Sequence, residues 1–326
     1  MSHAIFAAQA GGPEVLEYQE RPLPEPGAGQ VRVKVAHAGV NFIDVYFRTG
    51  TYPGRFPQVL GVEGSGVVEA LGEGSARFAV GDRVAWAMGF GSYATHMVAS
   101  QDALIAVPDG IGLDVAAAAM LQGMTAHYLS HGLRTTTEGD VALVHAAAGG
   151  TGLLLVQMLA AAGATVIGTC STPEKAELAK GAGAQHTIAY REQDVAARCR
   201  ELTDGRGVDV VYDSVGQSTF DGSLASLRPR GLLALFGQSS GVVPPFDLQR
   251  LNQGGSLFVT RPSLAHYVAS RDELEMRSGA VLSAVADGSL SVRIGARFAL
   301  EDAAQAQAAL ESRATTGKLL LDVGGA

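Results

Sequence analysis

Apolar residues arrive in two different rhythms along the 326-residue chain. From Val31 to about Val107 they form short β-rich runs: Val31-Arg32-Val33-Lys34-Val35, Gly64-Ser65-Gly66-Val67-Val68 and Arg83-Val84-Ala85-Trp86. Glycine, proline and aspartate turns separate them, which predicts an antiparallel, barrel-like region. Prolines at 22, 24 and 26 mark its entry as an extended segment, since proline at that density does not sit in a central strand. Near residue 115 the rhythm changes. Val115 to Leu121 is an alanine-rich helical run, and after Glu138-Gly139-Asp140 strands and helices alternate.

Strands are predicted over 141–147, 165–170, 186–190, 208–214, 232–237 and 257–260, with helices over 150–162, 175–180, 194–203 and 222–227. The run from Gly150 to Ala162 is almost wholly apolar, as a helix packed against a sheet should be. Alternation of this kind implies an α/β fold with a doubly wound parallel sheet of the Rossmann type. After Pro262 two long helical stretches are expected, then a strand over Gly317 to Val323 with no place in the Rossmann order. That strand is expected to return to the first domain. The predicted organisation is a first domain over 1–124, a dinucleotide-binding domain over 125–262, and a segment 263–326 that goes back to the first.

Composition narrows the function classes. At 33.5 kDa, 47% hydrophobic and 17% charged with 42 glycines, the chain is long enough for two cores. Its 24 basic residues against 32 acidic ones give a formal charge of −8, and no basic cluster interrupts them, which argues against a nucleic-acid partner. Cys170 and Cys199 are too few for a disulfide framework or a four-thiolate metal site. The start has no signal-peptide pattern, and no apolar run nears the ~18 residues of a membrane span, so a cytoplasmic protein is expected.

The most informative segment is Ala147-Ala148-Gly149-Gly150-Thr151-Gly152, which follows a predicted strand and opens a predicted helix. Small residues there let the backbone approach a pyrophosphate, and the helix start stabilises its negative charge. A plain packing turn is the alternative, which the six-strand alternation makes the weaker reading. About twenty residues on, an NAD-specific site would place an acidic residue at the tip of the second strand. Here Ser171, Thr172 and Lys175 stand instead, donors suited to a 2′-phosphate, so the expected cofactor is NADP(H). Glu174 reads as a solvated residue at a helix start, and His145 as a hydrogen-bonded core histidine.

Three segments together, Ala146 to Gly152 with Gln157, Gly39-Val40-Asn41-Phe42-Ile43-Asp44-Val45-Tyr46, and Tyr212-Asp213-Ser214-Val215-Gly216, resemble the quinone oxidoreductase, zeta-crystallin-like branch of the medium-chain dehydrogenase/reductase superfamily. The likeness continues through Phe236 to Gly241, Val259 to Leu264 and Glu311 to Thr315. It implies a GroES-like β-barrel catalytic domain beside the Rossmann domain. Zinc alcohol dehydrogenases of the same superfamily carry a cysteine where this chain has Asn41, and Gly-His-Glu where it has Gly61-Val62-Glu63. The resemblance therefore implies zinc-independent reduction of quinones by NADPH, with no metal ligand among the site residues.

Carried over residue by residue, the family pattern implies Asn41, Tyr46 and Tyr52 as catalytic positions. Asn41 and Tyr46 are expected to bond the acceptor carbonyl or the cofactor ribose, with a barrel-surface aromatic as the weaker reading of Tyr46 and Tyr52. Asp44 is expected to cap a helix rather than donate a proton. Phe42, Thr125 and Tyr128 fall beside the nicotinamide half, and Ala147, Gly149, Gly150, Thr151 and Gly152 at the pyrophosphate. Ser171, Thr172, Lys175, Tyr190 and Arg313 surround the adenosine 2′-phosphate. Ser214, Phe236, Gly237, Gln238, Ser239, Val259, Thr260 and Arg261 follow later strands and complete the cofactor set. Gln238 stands where asparagine is common, and Gln122 where a lysine can occur. A homodimer acting on a small quinone or enone is implied, with two alternatives: an NADPH-dependent enone or alkenal double-bond reductase, and a non-catalytic crystallin-like or RNA-binding protein.

Overall fold

A computed structural model describes residues 1–324, and the chain divides into two compact units. Unit 1 comprises Met1–Met124 with Val268–Ala326, and unit 2 is Thr125–Tyr267.

In unit 2 the six strands lie in the order His186–Ala189, Thr165–Cys170, Val141–Val144, Val208–Asp213, Leu227–Leu235, Phe258–Thr260, every neighbouring pair parallel. This is the doubly wound order, first half and second half diverging from Val141–Val144. The central strands are buried on both faces, which explains runs such as Val208–Asp213, where every residue is buried. Leu143, Ile167, Val211 and Leu233 are fully enclosed in one core. Burying each such side chain contributes roughly 1.5–3 kcal/mol. The helix Gly150–Ala161 packs onto this layer through Leu153, Leu154, Leu155, Val156 and Leu159, as its apolar sequence requires.

Unit 1 is built on antiparallel strands. A seven-stranded sheet centres on the long strand Gln30–Val40, which pairs with Glu63–Leu71, His96–Ser100 and Lys318–Asp322. Arg83–Ala87 and Ile105–Ala106 extend it beyond Glu63–Leu71. The late strand anticipated near Gly317 thus joins the first unit, with Leu319 opposite Val40 and Asp322 opposite His37.

Two expectations need correction. The region after Pro262 holds one long helix, Arg271–Ala286, a single turn at Leu264–Tyr267, and then a strand Ile294–Ala299 before the helix Ala303–Glu311. That strand runs parallel to Lys318–Asp322, so the helix between them is a crossover. Its side chains alternate partly buried and exposed, the period-two signature of a half-covered strand. Ahead of the first anticipated strand, Ser2–Ala7 and Leu16–Arg21 form an antiparallel pair, extended by Gln58–Val59.

Candidate active site and cofactor turn

In unit 2 the parallel sheet brings the carboxyl ends of its strands to one edge, and five of the anticipated positions follow those ends directly. Ser171 follows Cys170, Tyr190 follows Ala189, Ser214 follows Asp213, Phe236 follows Leu235 and Arg261 follows Thr260. The turn of small residues follows Val144. Ala146 takes a left-handed backbone conformation, φ 50°, at a cost of about 1–2 kcal/mol for a residue with a Cβ. Its carbonyl accepts the Gly149 N–H at 2.9 Å, which folds the chain back into the helix. A Cβ on Gly152 would lie 2.3 Å from that same carbonyl, so a side chain is excluded there. No side chain caps Gly149, leaving the first-turn N–H groups of a 12-residue helix to an external acceptor. These features fit the pyrophosphate of a dinucleotide.

At the second strand tip Thr172 is the N-cap of the helix Pro173–Gly181, its hydroxyl accepting the Lys175 N–H at 3.3 Å. Thr172 therefore shapes the helix start as much as it offers a donor. Glu174 is exposed there, as expected. Burial and the neighbouring Arg191 lower the Lys175 pKa, so two cations share this corner. Arg191, next to the exposed Tyr190, was not anticipated from the sequence.

Tyr128 is buried and stacked on Tyr267, ring centroids 4.3 Å apart, and Thr125 is buried on the helix Leu113–His127. Gly237 lies so close to Ser214 that a Cβ would sit 2.5 Å from the Ser214 carbonyl. Arg261 donates to Gln238 at 3.5 Å, and the Ser239 N–H to the Ser214 carbonyl at 3.2 Å. Val259 and Thr260 are half-buried on the edge strand. His145 is a buried core residue, as expected, with Thr169 at 3.2 Å and Ser223 at 3.0 Å; burial lowers its pKa.

In unit 1 the helix Phe42–Arg48 starts at Asn41, whose backbone N–H is taken by the Asp44 carboxylate at 2.9 Å. Asp44 is thus the anticipated cap. It is also fully buried and accepts the Tyr93 hydroxyl at 2.9 Å, and burial pushes its pKa up to about 7. Burial and the Asp44 charge hold the Tyr93 pKa well above its ordinary value. One face of the helix carries an aromatic row: Phe42 and Tyr46 at 6.3 Å, Tyr46 and Tyr52 at 5.2 Å, Phe47 and Tyr52 at 5.7 Å, Phe47 and Phe90 at 5.0 Å. Phe47 and Phe90 extend the row beyond the residues that sequence reasoning named.

Asn41 departs from expectation. Its Oδ1 accepts Lys318 Nζ and Gln122 Nε2, both at 2.7 Å, and its Nδ2 donates to the Gly39 carbonyl at 3.1 Å and to Glu63 Oε2 at 3.0 Å. All four hydrogen-bonding capacities of the amide are used within unit 1. No donor remains for an acceptor carbonyl. Lys318 also bonds Glu63, whose second oxygen accepts the Leu121 N–H. Lys318 and Glu63 are almost completely buried. Burial lowers the Lys318 pKa while the Glu63 carboxylate works to keep the proton on. The strand Lys318–Asp322, placed by its pairing with Gln30–Val40, delivers this ammonium to Asn41. Arg313, anticipated at the 2′-phosphate, belongs to unit 1, just past the helix Ala303–Glu311, with a left-handed backbone, φ 58°.

Residues 150–271 match the zinc-binding dehydrogenase family, and residues 27–109 the alcohol dehydrogenase GroES-like domain. The donor set around Asn41 does not suit the metal in that family name. Amides, one carboxylate and an ammonium that would repel a dication are assembled there, and Val62 supplies no ligand. The chain is 47% identical to a quinone oxidoreductase of Pseudomonas aeruginosa, covering 98% of this chain and 99% of that one. It is 44% identical to a 2-haloacrylate reductase of a Burkholderia species, again over 98% and 99%. The crystal structure of Escherichia coli quinone oxidoreductase complexed with NADPH matches with a TM-score of 0.96 at 41% identity, over 98% and 99% of the two chains. Similarity at this level over nearly the whole length is decisive: the chain belongs to the quinone oxidoreductase branch of the medium-chain dehydrogenase/reductase superfamily.

Proposed function

We propose that this protein is a zinc-independent oxidoreductase that uses NADPH to reduce quinones. The observation that carries the reading is the Ala146–Gly152 turn, whose small residues and uncapped helix start fit a dinucleotide, in a chain 47% identical to a named quinone oxidoreductase. When bound, the dinucleotide supplies the hydride, and the protein supplies position and polarity. Gly149, Gly150, Thr151 and Gly152 would hold the pyrophosphate, with Ala147 beneath it. Ser171, Lys175 and Arg191 would favour a 2′-phosphate over a bare ribose. Ser214, Phe236 to Ser239 and Val259 to Arg261 would line the rest of the coenzyme.

Phe42, Tyr46, Phe47, Tyr52 and Phe90 offer flat apolar surface to a planar ring, and the tyrosine hydroxyls offer donors to a developing oxyanion. Asn41 acts by holding its surroundings rather than by touching the acceptor. Zinc has no part in this reading, because the Lys318 ammonium fills the space between Asn41 and Glu63.

A second reading, reduction of an activated carbon–carbon double bond, draws on the 44% identity to a 2-haloacrylate reductase. It requires the same positioned hydride. The deciding experiment follows NADPH oxidation with a panel of quinones, enones and haloacrylates. Turnover with quinones supports the first reading; turnover confined to the activated alkenes replaces it with the second. Among the described residues no helix is long and apolar enough to cross a membrane. We place the enzyme in the cytoplasm as a homodimer, a reading supported by two free, buried cysteines and by the exposed Phe258 on an edge strand of the unit 2 sheet.

A further inference from the structure

A chain of buried side chains in unit 2 leads to the turn of small residues. Asp213, Ser223, His145 and Thr169 are each more than nine-tenths buried. They come from three neighbouring strand ends and the helix Phe220–Ser226. The contacts fix where each proton sits. Asp213 Oδ1 accepts the Val215 and Gly216 N–H groups, and Oδ2 the Thr219 and Ser223 hydroxyls. Ser223 spends its one proton there and offers His145 Nε2, 3.0 Å away, only a lone pair. Nε2 must therefore carry a proton. Burial lowers the His145 pKa, so the imidazole is neutral and Nδ1 is bare. A bare nitrogen needs a donor, and the Thr169 hydroxyl lies 3.2 Å from it. With that proton given to His145, Thr169 Oγ1 is an acceptor, and it takes the Ala146 N–H at 3.2 Å.

Ala146 is the pivot of the turn. A residue with a Cβ keeps a left-handed backbone, φ 50°, only where its surroundings fix it. Thr169 does so twice, its hydroxyl oxygen accepting the Ala146 N–H and its carbonyl the Ala147 N–H at 3.2 Å. The Ala146 carbonyl in turn accepts the Gly149 N–H just ahead of the uncapped helix start. Resting on the proposed function, we infer that His145 is a positioning residue for the coenzyme: protonated at Nε2 and bare at Nδ1, it ties Thr169 to the Asp213 carboxylate, and Thr169 holds Ala146 so that the first-turn N–H groups of the helix Gly150–Ala161 keep the geometry a pyrophosphate needs. NADPH and NADH share that pyrophosphate. The relay therefore serves both coenzymes alike, unlike the 2′-phosphate contact proposed for Lys175.

The test uses the full-length protein and the variants Thr169→Val, Thr169→Ser and His145→Phe. Dissociation constants for NADPH and NADH come from fluorescence titration, kcat from quinone reduction at saturating coenzyme, and the His145 tautomer from nitrogen NMR of the wild type. T169V should weaken both coenzymes by the same factor, roughly three- to tenfold, the range of one hydrogen bond, with kcat unchanged. T169S, which keeps the hydroxyl, should bind both as the wild type does. H145F should weaken both and add nothing further in the double variant with T169V. The NMR spectrum should show Nε2–H and a bare Nδ1. Unchanged affinity in T169V, a loss confined to NADPH, or a fall in kcat with affinity retained overturns the inference and leaves NADPH-dependent quinone reduction intact. An Nδ1–H tautomer, or a full further loss when H145F is added to T169V, overturns the role of His145. Val211→Ala, in the core of the same sheet, should lower stability to denaturant without moving either dissociation constant. If it weakens both coenzymes as T169V does, general loosening accounts for the loss and the inference fails. A wild-type protein that binds neither coenzyme removes the proposed function and this inference with it.

Discussion

Each unit buries a polar centre, and the two solve the problem in opposite ways. In unit 2, Asp213 is fully enclosed without a cation. Four donors satisfy it: the Val215 and Gly216 N–H groups at 2.7 and 3.0 Å, and the Thr219 and Ser223 hydroxyls, each at 2.7 Å. Ser223 lies in turn 3.0 Å from His145. In unit 1, Glu63 faces the Lys318 ammonium, Asp44 leans on Tyr93, and acceptor atoms of Asp44 and Gln122 have no partner. A centre satisfied by dipoles is closed and holds the sheet edge in place. One built from charges depends on a cation delivered from the far end of the chain.

The largest effect should come from separating the ion pair. Lys318→Met leaves a buried carboxylate without its cation, and a loss of about 3–5 kcal/mol is expected in chemical denaturation. Adding Glu63→Gln should recover a good part of it. If the single and double variants are equally unstable, the pair is not what that region depends on.

Next is the pH response, whose sign differs between the units. Folding raises the Asp44 pKa to about 7, so the folded state holds this proton more tightly than the unfolded chain does. Its stabilising effect is complete below the unfolded value near 3.9 and is lost as pH climbs through about 7. His145 is depressed by burial. Its contribution is complete above about 6.5 and is lost as pH falls toward the folded value. Denaturation curves between pH 5 and 8 should show Asp44→Asn gaining on the wild type, by about 1–3 kcal/mol, as pH rises. His145→Gln should gain as pH falls. Parallel trends in both variants would contradict the assignment.

Coenzyme choice comes third. Lys175→Ala should raise the KM for NADPH about ten- to a hundredfold and leave that for NADH nearly unchanged, as expected when a charge-assisted contact to phosphate is lost. Arg191→Ala should act in the same direction. Equal effects on both coenzymes would remove these cations from the 2′-phosphate. The smallest change is expected from Phe90→Ala at the end of the aromatic row: a two- to fivefold rise in the quinone KM with kcat retained, in steady-state assays.

What could be read in the sequence was whatever depends on short stretches. The strand and helix alternation of unit 2, the glycine turn and the Asp44 cap are all local patterns. The strand Ile294–Ala299 was passed over because Gly295 and the alanines dilute its alternation beside two helical segments. Ala146 looks like any small residue until its positive φ is seen. The Asn41 centre was hidden for another reason: Lys318 lies 277 positions from it, and only the pairing of Lys318–Asp322 with Gln30–Val40 brings them together. A single cation late in the chain carries no local mark, so the sequence points to Asn41 as a partner of the acceptor carbonyl or the cofactor ribose, whereas its amide is fully engaged within unit 1.

The split composition of unit 1 bears on how the protein is made. Unit 2 is one continuous stretch and can collapse as soon as residue 267 has left the ribosome, since domains fold as they emerge. Unit 1 must wait for Lys318–Asp322 while the His37–Val40 end of the strand Gln30–Val40 lacks its partner on one edge and Glu63 is without its counter-ion. For some fifty codons the nascent polypeptide carries an open β edge, the period in which a holding chaperone matters most to its yield.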